Sequence, residues 1–434
     1  LLYSLKWGHI TAFKLESYGW PRKIGAFFME KIAQNLISFK PTSILAILFI
    51  IIFGIYLNSI SSVTGIIWIF SVIAGITLQR SRLCFASSFR DLFLFGSTKT
   101  LKSIILGLMT TSFLFIFVMR SIIQNPTIGS IPSDPYILPF GISTIIGGVL
   151  FGIGMVIAGG CVSGSLYRIG EGYIASLFSI LGVITGLSIL SLSWDWWWDN
   201  LISNEPKIWL PKILNMGYFG GFLVTLFLGI AVYIGLTIYE HKKGYKEFKI
   251  SNKPKEFNSL KEKLFSPLFL IFKTPWSMTT GVIILGIIST FLLVVSKPFG
   301  VTGELFSSAN DFLRIVGLEP AVKGLSELGG CVANAASNSN YFSNSFAATY
   351  GIIPGSFLAS KLSGEFKIRM PKNPVRLVQS FGGGLLMGYG AGLAIGCTLG
   401  SFFSAIPSMS LSGWLFGLSL ALGAFFGTKI ISRF

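Results

Sequence analysis

The sequence predicts an all-α polytopic membrane protein of two homologous helical units in inverted orientation, with re-entrant loops that carry cysteines. Three observations predict this fold class: an apolar composition, a duplicated glycine-rich segment, and an uneven distribution of lysine and arginine. The chain is 52% hydrophobic and 12% charged, with a mean hydropathy of +0.72. Apolar runs long enough to cross about 30 Å of hydrocarbon are typical of a protein with several membrane spans.

The duplication is visible in two glycine-rich stretches. The stretch GGVLFGIGMVIAGGCVSGS from Gly147 aligns without a gap with GGLLMGYGAGLAIGCTLGS from Gly383, and Cys161 matches Cys397. A glycine-rich apolar helix that leads into a cysteine therefore occurs twice, and we expect the functional site around these two cysteines. The glycines next to these cysteines that we expect at the site are Gly160, Gly164, Gly396 and Gly400.

The apolar runs give the predicted spans and the predicted domain organisation. The spans are 42–57, 62–79, 101–120, 139–160, 173–193, 216–239, 277–296, 346–360, 377–396 and 411–430. The predicted segments are a basic cytoplasmic N-terminal segment (1–40), a first transmembrane half (41–239, with a repeat unit at about 62–193), a cytoplasmic linker (240–265) and a second transmembrane half (266–434).

Basic residues predict the orientation of the spans. They cluster in segments 1–40, 80–102, 240–263 and 361–376. The positive-inside rule assigns these segments to the cytoplasm, so both termini are predicted to be cytoplasmic. The helix before Cys161 then enters from outside and the helix before Cys397 from inside, which predicts inverted copies. Inverted repeats place a substrate site at their interface near the midplane of the membrane.

The charge and the remaining composition exclude several classes of function. In a soluble protein a net charge of +17 would suggest nucleic acid binding, but here the basic residues lie beside apolar helices and indicate a bilayer instead. The four cysteines have no C-x-x-C spacing that would indicate a redox or zinc motif. Both histidines, His9 and His241, lie in polar flanking regions. We therefore expect no metal and no cofactor.

The four cysteines have a simpler interpretation as small apolar packing residues. Their pairing argues against it: Cys84 follows the first helix of one copy and Cys331 that of the other, which predicts two symmetry-related pairs. Cys84 also lies close to Arg82, and cations favour a thiolate or attract an anion. The polar stretch CVANAASNSNYFSNS from Cys331 is interpreted either as a re-entrant segment or as an outer loop.

Two further features each allow two interpretations. Arg168 and Glu171 follow Cys161, and ionisable groups inside the membrane are usually functional, whereas at the surface they are ordinary loop charges. The glycines near the cysteines permit close helix packing. They also permit the backbone to leave the helix and to turn its amides toward a ligand.

The segments RSRLCFASSFRDL, AGGCVSGSLYRIGEG, KIRMPKNPVR and AIGCTLGSFFSAIP resemble signature segments of the bacterial YeeE/YedE family of sulfur-compound transporters, with closer similarity to the YedE branch. The resemblance covers roughly residues 60–430. It implies thiosulfate uptake across the inner membrane by an hourglass-shaped protein, whose short inward loops bring Cys84, Cys161 and Cys397 to a narrow central path. Cys331 has no counterpart in this pattern, and its place on the path rests on the repeat alone.

The chemistry of a sulfur anion agrees with these residue types. Helix amino termini, Arg168 and Arg82 would offset negative charge, and thiols would form weak hydrogen bonds to a terminal sulfur. The sequence thus predicts a transporter or channel for thiosulfate or a related sulfur anion, not an enzyme, with a cytoplasmic sulfur-carrier protein as an expected partner. Two alternatives stay open: a transporter of selenium compounds, and a membrane thiol enzyme that relays sulfane sulfur through a persulfide on Cys161.

Overall fold

The structure, a computed structural model, describes only part of the chain. The described residues are 41–126, 131–213, 216–243, 274–320, 323–325, 328–332 and 342–432. The predictions for segment 1–40, for most of the linker and for most of the polar stretch after Cys331 lie outside these residues. The chain divides into two compact units, 1–49 and 50–434. The description of the first unit begins at residue 41, and the account below concerns the second.

The described residues are almost entirely helical and contain no β-strand. The helices are α1 (Pro41–Ile60), α2 (Ser62–Ser81), α3 (Phe85–Phe95), α4 (Lys99–Ile122), α5 (Ile142–Ala158), α6 (Val162–Glu171), α7 (Ile174–Asn200), α8 (Leu210–Ile213), α9 (Gly217–Lys243), α10 (Met278–Val295), α11 (Thr302–Ile315), α12 (Asn344–Tyr350), α13 (Ile352–Leu362), α14 (Val375–Leu393) and α15 (Leu411–Ile431). A 3₁₀ turn, Ile202–Asn204, follows α7, and a π-helix, Thr398–Ser404, follows α14.

Within the described residues, eight helical segments are long and apolar enough to cross a membrane. They are α1, α2 with α3, α4, α5 with α6, α7, α9, α10 and α15. Helix α14 and the π-helix would make a ninth segment, bent by 46°. This confirms the prediction of an all-α polytopic membrane protein. The three segments that consist of two helices each carry a cysteine at the break, namely Cys84, Cys161 and Cys397.

The predicted span 346–360 consists of two short helices instead of one long one. Helices α12 and α13 meet at Gly351, and Pro354 lies in the first turn of α13. Proline has no amide hydrogen to donate, so it fits the start of a helix and not its interior. Helix α13 is 11 residues long, roughly 16 Å, and is therefore too short to cross the hydrocarbon alone.

Helices α5 and α14, which carry the duplicated glycine segments, pack against each other through reciprocal contacts. A Cβ added at Gly147 would lie 2.7 Å from the carbonyl oxygen of Gly390, and one at Gly383 would lie 2.7 Å from that of Gly154. The repeat alignment exchanges these two contacts, as a two-fold relation between two copies requires. Glycine is needed because any side chain would separate the helix backbones. The inversion of the copies relative to the membrane stays a prediction.

Each of these two helices also packs on the last long helix of the other copy. Helix α5 contacts α15 at Gly152, where an added Cβ would lie 2.5 Å from the carbonyl oxygen of Leu420. Helix α14 contacts α7 at Gly388, whose Cβ position overlaps the carbonyl oxygen of Val183. The glycines of these two segments therefore allow close packing of four helices, each of which belongs to one of the two copies.

Cys331 does not occupy the chain position that the repeat predicted. Helix α3, which follows Cys84, corresponds in order to α11, and the residue directly before α11 is Val301. Cys331 comes after α11, in a connection that has no counterpart of similar length in the first copy. The sequence argument placed Cys331 directly after the first helix of the second copy. It did not include α11, which lies between that helix, α10, and Cys331.

Candidate functional site

Three of the cysteines stand at the amino termini of short helices. Cys84 precedes α3, Cys161 precedes α6 and Cys397 precedes the π-helix, and all three are buried. The first amides of a helix lack partners within the helix and carry partial positive charge. In α6 the amide of Gly164 donates to Cys161 Sγ at 3.4 Å, so the thiol takes the capping position that a serine or aspartate usually fills.

Gly164 is the residue at which two of these thiols meet. A Cβ added at Gly164 would lie 3.2 Å from Cys161 Sγ and 3.4 Å from Cys84 Sγ, and the two thiols are within hydrogen-bonding range of each other. At Gly160 an added Cβ would lie 3.2 Å from Nη1 of Arg168. Both predicted glycines therefore border the functional side chains of the first copy.

Cys84 opens onto a cavity of about 550 Å³, here called the Cys84 cavity. Four predicted residues, Arg82, Cys84, Arg168 and Glu171, line it together. The other lining residues are Ser87, Tyr167, Tyr173, Gly364, Glu365, Phe366, Lys367 and Arg369. Arg168 is held in place by a hydrogen bond of 2.5 Å from its Nη1 to the carbonyl oxygen of Gly159, at the end of α5.

Sequence reasoning missed a polar network beside this cavity. Gln79 donates to Glu171 at 3.2 Å and to Glu365 at 2.9 Å, and Glu365 also forms ion pairs with Arg82 at 3.0 Å and with Arg80 at 3.5 Å. These residues come from three distant parts of the chain. The available signal was the position of Gln79 and Arg80 inside an otherwise apolar helix, where polar side chains need partners.

The remaining predicted residues form a second cluster in the other copy. Gly400, which aligns with Gly164, faces Cys331 Sγ, so a glycine three residues after the duplicated cysteine adjoins a second thiol in both copies. Cys397 lies in the same cluster. Gly396 adjoins Ser401, whose hydroxyl donates to the carbonyl oxygen of Ala394 at 2.7 Å. The structure thus pairs Cys84 with Cys161, and Cys331 with the Cys397 segment.

Thr398 belongs to the second copy but lies beside the first cluster. It is the first residue of the π-helix and is fully buried, and its hydroxyl has no hydrogen-bond partner among the described residues although it faces the Cys161 thiol. A buried hydroxyl without a partner is unfavourable unless a ligand supplies one. The Thr398 hydroxyl of the second copy therefore adjoins the Cys161 thiol of the first copy.

A smaller cavity of about 210 Å³, here called the Tyr136 cavity, lies beside the second cluster. It is lined by Ile67, Tyr136, Leu292, Ser296, Lys297, Pro298, Phe299, Gly300, Asn344, Ser345 and Ala348. In the described part of the chain, no group of three or more histidine, cysteine or acidic side chains could hold a metal ion. The two clusters present weak sulfur donors, and cationic side chains line the cavities beside them.

Comparison with known proteins defines the class to which this fold and these cysteine clusters belong. The sequence profile described as "Sulphur transport" matches residues 80–426, and the chain belongs to this family of membrane transporters. The prediction of the family and of a transporter instead of an enzyme is thereby confirmed.

Individual relatives carry names that agree with this class. The chain is 31% identical over 358 residues to the thiosulfate transporter TsuA of Spirochaeta thermophila, which is 80% of this chain and 93% of that protein. It is 23% identical to the TsuA of Escherichia coli, over 82% of this chain and 91% of the relative. It is 35% identical to the probable transporter YedE of Escherichia coli, over 39% of this chain and 40% of YedE.

Proposed function

We propose that this protein carries thiosulfate, or a closely related sulfur anion, inward across the bacterial inner membrane along a path of thiols. The observation that carries the proposal is the meeting of Cys84 and Cys161 at Gly164, beside a cavity that Arg82 and Arg168 line. The names of the TsuA relatives, which the chain matches over most of its length, support the choice of thiosulfate.

Each end of a thiosulfate dianion has a matching partner along this path. Its charged oxygens are stabilised by arginine and by helix amino termini, because a dianion in a low-dielectric passage needs compensating positive charge. Its terminal sulfur accepts weak hydrogen bonds from Cys84, Cys161 and Cys397. Such bonds are strong enough to guide the ion and weak enough to release it, so the ion moves stepwise without a covalent adduct.

The path also includes the glycines next to the cysteines and the thiol of Cys331. Gly160, Gly164, Gly396 and Gly400 leave the room in which the thiols and the ion meet. Under the positive-inside rule, the Cys84 cavity faces the cytoplasm, because Lys367 and Arg369 of the basic segment 361–376 line it. Both termini and the linker 240–265 are then cytoplasmic, the two halves are inverted, and a cytoplasmic sulfur-carrier protein receives the ion at this cavity.

Uptake of radiolabelled thiosulfate into proteoliposomes tests the proposal. We expect Cys161→Ala to abolish uptake, while sulfate competes poorly with thiosulfate in the wild type. Ser112→Ala is the matched control, since Ser112 is equally buried, donates to the carbonyl oxygen of Leu108 in its own helix at 2.8 Å, and is not among the described residues that line either cavity. Normal uptake by Cys161→Ala would refute the thiol path.

The same assay separates the alternative substrates and activities. Selenite and selenosulfate are included as competitors, and strong competition by either one with weak thiosulfate uptake would favour a selenium compound. Release of sulfite together with a stable persulfide on Cys161 would favour the thiol enzyme. Thiosulfate uptake without either product supports transport.

A further inference from the structure

The Tyr136 cavity contains the groups of an oxyanion site. Lys297 is half-buried in the connection between α10 and α11, and Ser296, Asn344 and Ser345 line the same cavity. Thr64 donates to Asn344 Oδ1 at 2.7 Å, which leaves the amide nitrogen of Asn344 as a donor toward a ligand. One ammonium group with neighbouring amide and hydroxyl donors is a suitable partner for the oxygens of an anion.

A thiol lies directly behind this cavity. Gly300 and Tyr136 line the cavity, and Gly300 directly contacts Cys331 Sγ. The Tyr136 hydroxyl would lie 3.1 Å from a Cβ at Gly300 and is within hydrogen-bonding range of the Cys331 thiol. Residue 300 places no side chain of its own between the cavity and the thiol, because it is glycine.

The amino terminus of α11 also points to this place. Gly303, in the first turn of this 14-residue helix, adjoins Cys331, because an added Cβ there would overlap the Cys331 carbonyl oxygen, and the buried Thr302 hydroxyl has no hydrogen-bond partner among the described residues. In the first copy, Cys84 is itself the residue that directly precedes α3. Each of these two helix amino termini thus has a thiol beside it. For α3 it belongs to the preceding residue, Cys84, whereas for α11 it belongs to Cys331, which comes later in the chain.

The charge balance of the cavity depends on two groups of opposite sign. Burial lowers the pKa of Lys297 from its ordinary value, and the nearby Asp134 acts in the opposite direction. Asp134 is thus an acidic group whose charge favours the ammonium form of Lys297. Removal of either charge should therefore change anion affinity, in opposite directions.

We propose that the Tyr136 cavity is a second, outward-facing binding site for a divalent oxyanion with a terminal soft atom, in which Lys297 and Asn344 bind the oxygens and Cys331 contacts the soft atom. This inference rests on the proposed function and assigns to Cys331 a definite step, the capture of the anion before it reaches Cys397. The same two-part recognition explains how a soft anion is separated from sulfate: Lys297 attracts both ions, whereas the thiol favours one.

Two variants separate the two parts of this recognition. We expect Lys297→Gln to raise the KM for thiosulfate uptake and the inhibition constant of sulfate by about tenfold, because both ions lose a charged partner. Cys331→Ala should raise the KM for thiosulfate about threefold and leave the inhibition constant of sulfate unchanged, because only a weak sulfur hydrogen bond is lost. Uptake is measured in intact cells, where thiosulfate arrives from outside.

Matched controls keep the test specific. Lys212→Gln removes the same charge from an exposed residue that lines neither cavity, and its constants should equal those of the wild type. Asp134→Asn should lower the KM. Unfolding temperatures of the purified variants identify any that fold poorly, and calorimetric titration of the detergent-solubilised chain with thiosulfate and sulfate then measures binding without transport.

The outcomes distinguish this site from the path as a whole. Unchanged constants for both Lys297→Gln and Cys331→Ala, with uptake that still needs Cys161, would overturn the outer site and leave the proposed function standing. Equal losses for thiosulfate and sulfate in Cys331→Ala would overturn the role of the thiol. Anion binding that needs Lys297 in a protein without thiosulfate uptake would support the site and refute thiosulfate as the cargo.

Discussion

The Cys84 cavity and the Tyr136 cavity both adjoin a thiol at a helix amino terminus, but they differ in size and charge. The first measures about 550 Å³ and the second about 210 Å³. Among the described residues, four basic and two acidic side chains line the first, whereas Lys297 is the one basic residue that lines the second. In the larger cavity, Arg82 already pairs with Glu365 at 3.0 Å. An anion that arrives there competes with a carboxylate of the protein itself.

This difference suggests separate tasks for the two ends. A passage must bind its ion well enough to admit it and weakly enough to release it. In the proposed orientation, the small cavity suits capture, whereas the large cavity, in which carboxylates of the protein offset part of the positive charge, suits release toward the cytoplasm. Both cavities adjoin a thiol. Substitutions of these thiols and of the glycines that contact them therefore test the comparison most directly.

Cys84→Ala should have the largest effect of the variants that compare the two ends. At the releasing end, loss of the thiol removes the last partner of the terminal sulfur, so we expect the maximal rate to fall about tenfold or more with little change in KM. This contrasts with the KM effect of Cys331→Ala at the capturing end. The measurement is the dependence of initial uptake rate on external thiosulfate, with Ser112→Ala as the control. A raised KM at an unchanged maximal rate would reverse the assignment of the two ends.

The two matched glycines should differ in their tolerance of a methyl group. At Gly164 the nearest atom to an added Cβ is Cys161 Sγ at 3.2 Å, whereas at Gly400 the added Cβ would overlap Cys331 Sγ. We therefore expect Gly400→Ala to lower stability by about 1–3 kcal/mol, typical of overpacking, and Gly164→Ala to lower it less. The measurement is the thermal unfolding midpoint in detergent.

A double variant checks the cause of that loss. In Gly400→Ala combined with Cys331→Ala the overlapping sulfur is absent, and the midpoint should recover most of the difference. Equal midpoints for the single and double variants would show that Gly400 does not face Cys331 as the structure places it.

The sequence predicted the thiols of this comparison better than it predicted the cavities. Cys161 and Gly164 were recognisable because the segment that contains them is duplicated at Cys397 and Gly400. Repetition is a local signal that one chain can reveal. The structure adds why the glycine is kept: its missing side chain is what lets a second thiol approach.

The residues that line the cavities gave no such signal. Gln79 and Glu365 are far apart in the chain, and Tyr136 and Lys297 lie in connections without a repeated motif. Their proximity depends on how α2, α13 and the loops pack, which periodicity does not reveal. The sequence argument matched Cys331 with Cys84 by chain position, and the structure contradicts that match. The residue nevertheless lies at the amino terminus of α11. The predicted span at 346–360 is divided into two helices for a local reason: the helices meet at Gly351, and Pro354 lies in the first turn of the second one.

The smallest expected effect is a change in stability on substitution of Glu365, which lines the Cys84 cavity and not the Tyr136 cavity. Although burial by itself would raise the pKa of this carboxyl, the hydrogen bond from Gln79 and the charge of Arg82 hold the pKa below its ordinary value. A carboxyl with a lowered folded-state pKa stabilises the protein above its unfolded-state pKa, and this stabilisation is lost as the pH falls through the folded-state pKa.

Wild type should therefore exceed Glu365→Gln in stability by about 1 kcal/mol or less near pH 7, since Arg82 is largely exposed. The difference should shrink as the pH falls below about 4, where glutamate becomes protonated. Unfolding midpoints across this pH range measure it, and Glu319→Gln, at an exposed position after α11, is the control. A difference that grows in acid would mean that Glu365 is not held ionised by Gln79 and Arg82, and the larger cavity would then present its cations to the anion without internal competition.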